Sequence, residues 1–97
     1  MTKAYWINTF TAIRDAERLE RYVALAGPAM RAAGGRFLAR GNPEYALEGA
    51  SRLRTTLIEF PSAQAAYDAY HSAAYQEALR VLGDAADREI RIISAVE

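Results

Sequence analysis

The segments that read as β-strands carry apolar side chains on both alternating phases, and nothing else constrains the chain as much. In Tyr5-Trp6-Ile7-Asn8-Thr9-Phe10 large apolar residues fall on odd and even positions alike. The same holds for Phe37-Leu38-Ala39, for Leu57-Ile58 with Phe60, and for Ile90 with Ile92-Ile93. A strand with one wet face alternates cleanly between apolar and polar. A sheet built from these segments has two faces to bury, and one layer of helices covers only one of them. The cover expected on the other is a second copy of the same chain, packed sheet to sheet about a two-fold axis. Burying even ~600 Å² of apolar surface per subunit would contribute on the order of 15 kcal/mol, before association entropy and desolvation are subtracted. A homodimer is therefore the expected state.

Period and punctuation place the elements. Residues 3–10, aromatic and β-branched, predict the first strand. From Asp15, a residue suited to an N-cap, the apolar positions Leu19, Tyr22, Val23, Ala26, Met30 and Ala33 recur at helical spacing. Gly27-Pro28 removes a backbone donor inside this helix and is expected to kink or split it near Ala26, and Gly34-Gly35 stops it. Residues 36–40 and 45–48 flank the turn formers Gly41-Asn42-Pro43-Glu44, which suggests a local hairpin or bend before a polar loop over 49–54. Thr55 to Phe60 reads as a strand ended by Pro61. Ser62 caps a helix over residues 63–70, and Ser72 caps another that ends near Gly83, with Tyr75, Ala78, Leu79 and Leu82 as its apolar stripe. Residues 88–96 close the chain as a strand. This order predicts a single α+β domain over residues 1–97: a ferredoxin-like βαββαβ antiparallel sheet with its helices on one face.

Composition removes several functions. Twelve Lys+Arg balance twelve Asp+Glu, so no basic excess is available for a phosphate backbone and no nucleic-acid partner is expected. The absence of cysteine excludes disulfides, thiolate zinc sites, iron–sulfur clusters and a Cys nucleophile. His71 is the single histidine, so one subunit cannot assemble a set of imidazole ligands, and neither metal nor cofactor is expected. The first residues lack a charged-then-apolar leader, and the longest apolar run covers only residues 22–26; a cytoplasmic protein without a membrane partner is expected. No GxGxxG, GxxxxGK[ST], HExxH or GxSxG pattern occurs. The eleven arginines, against one lysine, are scattered and read as a compositional habit of the source rather than a patch.

Several blocks in order resemble a known bacterial family: Ala4-Tyr5-Trp6-Ile7, Gly34-Gly35-Arg36-Phe37-Leu38-Ala39-Arg40-Gly41, Leu47-Glu48-Gly49, Ile58-Glu59-Phe60-Pro61-Ser62 and Tyr75-Gln76. Over nearly its whole length the chain is similar to the DUF1330 family, a domain of unknown function in the dimeric α/β-barrel superfamily. The resemblance implies a ferredoxin-like subunit that pairs into a dimeric α/β barrel. Asn42 and Ala95 stand where the family commonly has Gly, and Ala73 where it has Pro. These departures touch turns and the terminus only. Relatives in the superfamily include small monooxygenases and ligand-binding domains, but a shared fold transfers no chemistry.

Those relatives use a cavity between sheet and helices or inside the dimer. Residues available to line one are Trp6, Asn8, Arg40, Glu59, Tyr67, Tyr70, His71 and Tyr75. Trp6 and Asn8 share one phase of the first strand. Arg40 is suited to clamp a carboxylate or phosphate, unless it pairs with Glu48 or Glu59 across the sheet or the dimer. His71 with Tyr70 offers a general acid or base, against the plainer role of a histidine at a helix C-terminus. The expected function is that of a small homodimer binding an organic ligand through Trp6, Asn8, Arg40, Tyr70 and His71. The alternatives are a cofactor-independent enzyme, monooxygenase- or isomerase-like, on a small aromatic or carbonyl compound, and a purely structural or partner-binding dimer.

Overall fold

The computed structural model describes residues 2–96, with elements in the order β1 (Ala4–Ile13), α1 (Ala16–Ala32), β2 (Arg36–Gly41), β3 (Thr55–Phe60), α2 (Ala63–Tyr70), α3 (Ala73–Leu82) and β4 (Ala86–Ser94). The strands form an antiparallel sheet in the order β2-β3-β1-β4, the α+β ferredoxin-like arrangement expected. All three helices begin on the anticipated caps. Asp15, Ser62 and Ser72 accept side-chain hydrogen bonds from the backbone N–H of Arg18, Ala65 and Tyr75. The Cα trace measures 38 × 35 × 16 Å, a slab two layers deep.

Helix α1 runs through Gly27-Pro28 unbroken, contrary to the expected split. The reason lies in which side the proline faces. Pro28 is exposed, and so is Ala24, whose carbonyl loses its N–H partner and turns to water instead. Gly27, on the inner side, has no Cβ to meet the proline ring. Of the hairpin or bend expected here, the bend forms, at Asn42 and Glu44, and residues 45–48 make no strand. Glu48 (φ 54°) and Gly49 (φ 79°) take left-handed conformations that fold this stretch into a turn, leaving Tyr45 and Leu47 exposed on an irregular loop. β1 and β4 pair further than anticipated, to Ile13↔Ala86, past a bulge at Phe10/Ala12.

The two glycines after α1 do different work. Gly34 (φ 96°) supplies the left-handed stop, whereas Gly35 allows a close approach: a Cβ there would stand 2.9 Å from Ile58 Cγ2, Phe60 Cζ and the Met30 carbonyl. That approach packs the end of α1 onto β3. The core lies between the helices and one face of the sheet, where Trp6, Phe10, Ile58 and Phe60 meet Leu19, Met30, Tyr75, Ala78 and Leu82. On the opposite face no helix lies over Tyr5, Ile7, Leu57 and Ile93, which sit among Arg36, Glu59 and Arg91.

Candidate functional site

Strand pairing lays the helix-facing side chains in rows. Trp6 lies beside Ile58, which lies beside Phe37; the next row is Asn8, Thr56 and Arg40. Phe10 and Arg54 follow, joined by the hydrogen bond from Phe10 N–H to the Arg54 carbonyl (3.0 Å). A bulge between Phe37 and Ala39 creates the middle row. Strict alternation from Phe37 would turn Arg40 to the opposite face; the extra residue brings it opposite Thr56, on the helix side.

Over these rows, Tyr22, Val23, Ala26, Gly27 and Met30 of α1 and Tyr75 of α3 enclose a cavity. Counted with its open mouth the hollow is about 410 Å³, within the range of small-molecule sites. The walls are mainly apolar. At the floor, Asn8 is 5% exposed and its Oδ1 has no hydrogen-bond partner. An amide oxygen dried out in this way costs free energy until a donor reaches it.

Around the mouth stand guanidinium groups. Arg40 and Arg54 line the cavity, and the Phe37 ring carries Arg31 at 4.9 Å and Arg40 at 5.3 Å from its centroid. Among the described residues none of these three arginines forms an ion pair; Glu59, one acid anticipated for Arg40, faces the other side of the sheet and pairs with Lys3 at 3.6 Å. Arg40 also borders a shallow hollow on that other side, with Ala39, Pro43 and Leu57.

Arg88 is a part of the site that sequence reasoning missed. Its guanidinium donates to the hydroxyl of Tyr22 and, at 2.9 Å, to that of Tyr75, and the two hydroxyls lie 2.7 Å apart. Burial pushes the Tyr75 phenol above its ordinary value, and the neighbouring Tyr22 adds to this against the opposing pull of Arg88. Tyr75 is thus held as a neutral hydrogen-bonding group. Burial alone would lower the Arg88 guanidinium, but the two phenols outweigh it and the net shift is upward. A signal was present: Tyr22 and Tyr75 both lie on inward stripes, and buried phenols need partners.

The structure divides the expected site residues between two places. Trp6, Asn8, Arg40 and Tyr75 line the cavity under α1. Tyr67, Tyr70 and His71 line a separate open groove with Arg88, Ile90 and Ile92. Tyr70 packs 6.0 Å from Trp6 and 5.5 Å from Tyr75, which separates cavity from groove with aromatic rings. His71 is exposed at the C-cap of α2, 4.6 Å from the Tyr67 ring, and its backbone N–H bonds the Tyr67 and Asp68 carbonyls. Among the described residues no group of three or more acids and histidines could hold a metal ion, and no helix is long and apolar enough to cross a membrane.

A family model described as a domain of unknown function, DUF1330, matches residues 3–96. The chain belongs to the DUF1330 family. No curated protein matches it. Among solved structures, this DUF1330 chain is similar to a protein of unknown function from Rhodopseudomonas palustris, at 20% identity and a TM-score of 0.77 over 99% of this chain and 84% of that one. It is also similar to SnoaB, a cofactor-independent oxygenase from Streptomyces nogalater, at 13% identity and a TM-score of 0.71 over 100% and 96%. A third likeness is to a dimeric ferredoxin-like protein of unknown function from Thermobifida fusca, at 12% identity and a TM-score of 0.69 over 97% and 92%. At such identities the likeness is one of fold.

Proposed function

We propose that this DUF1330 protein is a cytoplasmic homodimer, closed through the uncovered sheet face, that binds a small organic molecule between α1 and the sheet. The reading rests on Asn8, a buried residue that lines an apolar, partly open cavity and whose Oδ1 has no hydrogen-bond partner among the described residues. Such an atom favours a ligand with an apolar body and a hydrogen-bond donor at its inner end. Self-association is supported by the apolar centre and charged rim of the uncovered face, and by the dimeric state named for the Thermobifida fusca neighbour. The enzyme alternative is weaker because its acid–base candidates, His71 and Tyr70, line a different hollow from Asn8 and Arg40.

Phenol, one ring with one hydroxyl, is a direct probe. Trp6 is the only tryptophan and lines the cavity, so its indole N–H reports occupancy in a nitrogen–proton correlation spectrum. Phenol should shift that resonance saturably, and Asn8→Leu, which removes the acceptor, should weaken binding by about tenfold. A Trp6 signal indifferent to phenol argues for a purely structural dimer. Sedimentation at micromolar concentration should give a dimer; a single subunit would refute the assembly.

A further inference from the structure

We infer that the ligand is a small planar carboxylate, held with its anionic end at the cavity mouth and a donor group at Asn8. This deepens the proposal above and rests on it. Arg40 and Arg54 line the cavity and Arg31 stands against its Phe37 wall, and among the described residues none of the three pairs with a carboxylate. Arg31 and Arg40 both lie against the same Phe37 ring, which is part of the cavity wall.

Cations gathered at the rim of an apolar hollow focus a positive potential into it, and guanidinium forks match the two oxygens of a carboxylate. Arg40, Thr56 and Asn8 lie in one row on three adjacent strands, so a guanidinium and an amide reach the same hollow from β2 and β1. A single ring bearing a carboxylate and a hydroxyl offers a partner to each.

The test compares 4-hydroxybenzoate with its uncharged, isosteric amide, 4-hydroxybenzamide, by calorimetry and by the Trp6 indole resonance at pH 7 and low salt. The carboxylate should bind about tenfold more tightly. In an Arg40→Gln/Arg54→Gln variant the two compounds should bind with near-equal affinity. Equal affinity of the two compounds for the unaltered protein, with phenol still bound, overturns the carboxylate inference and leaves the cavity reading standing. An advantage that survives in the double variant overturns the role of the arginine rim. If phenol and both compounds leave Trp6 unmoved, the cavity reading falls and this inference with it.

Discussion

The two faces of one sheet are held by different means. On the helix side, Trp6 is 2% and Phe60 1% exposed, and the polar groups are either locked, as Arg88 is by two phenols, or left free around the cavity. On the far side, Tyr5, Ile7 and Leu57 are only half buried and Ile93 is 58% exposed, among charges that reach water. The inner face completes the subunit. The outer face leaves its apolar residues partly in contact with water.

Two truncations test this contrast. Trp6→Ala removes a ring packed edge-on at 5.4 Å from Tyr75 and 6.2 Å from Phe60, and should cost about 3–5 kcal/mol. In a chain of this size, that lowers the melting temperature by more than about 12 °C. Ile93→Ala should change subunit stability by less than about 0.5 kcal/mol, yet raise the dimer dissociation constant in sedimentation. Equal effects from the two in denaturation, with no change in assembly, would erase the distinction between the faces.

A smaller effect sharpens the inner side alone. Tyr75→Phe keeps the ring and removes the hydroxyl that accepts from Arg88 and meets Tyr22. The partly buried guanidinium loses one of its two acceptors, so the expected loss is about 1–3 kcal/mol in urea denaturation. A loss near zero would mean that Tyr22 alone satisfies Arg88.

These contrasts also show what the sequence could disclose. Apolar period and capping residues are local, so Asp15, Ser62 and Ser72 and the strands at Trp6 and Ile58 were legible, and so was the second apolar phase that asks for a partner. Arg40 was legible as a candidate but its direction was not: the bulge at Phe37/Ala39 comes from pairing with β3, which no run of RFLAR discloses. The arginines misled most. Their scatter along the chain looked uninformative, yet strand pairing brings Arg40 and Arg54 to one cavity, and helix docking sets Arg31 against its Phe37 wall. The need of Tyr22 and Tyr75 for a partner was legible, but that Arg88 meets it was not, since the two phenols lie on different helices. That Gly27-Pro28 leaves α1 unsplit was not legible, because the composition of the dipeptide does not reveal which side of α1 meets water.

The gentlest test concerns the outer phase where it runs out into solvent. Asp87 accepts two hydrogen bonds from Arg14, at 2.8 and 2.9 Å, while Arg14 Nε donates to the Asp84 carbonyl at 2.9 Å. The hydrogen bonds from Arg14, then its charge, hold the Asp87 carboxyl below the usual carboxylate range. A folded value below the unfolded one makes the ionised form the stabilising one. The contribution is complete above the unfolded value of about 4 and fades as pH falls through the folded value. Arg14 itself is raised from an already alkaline value, so it adds no pH dependence in the neutral range. The stability difference between the protein and Asp87→Asn should therefore be flat from about pH 8 to 5 and shrink below about pH 4. Because the pair is exposed, added salt should reduce the difference at neutral pH as well. A difference that instead grows in acid would mean that Asp87 is stabilised by its proton, and that this margin of the sheet is dry in the assembled protein.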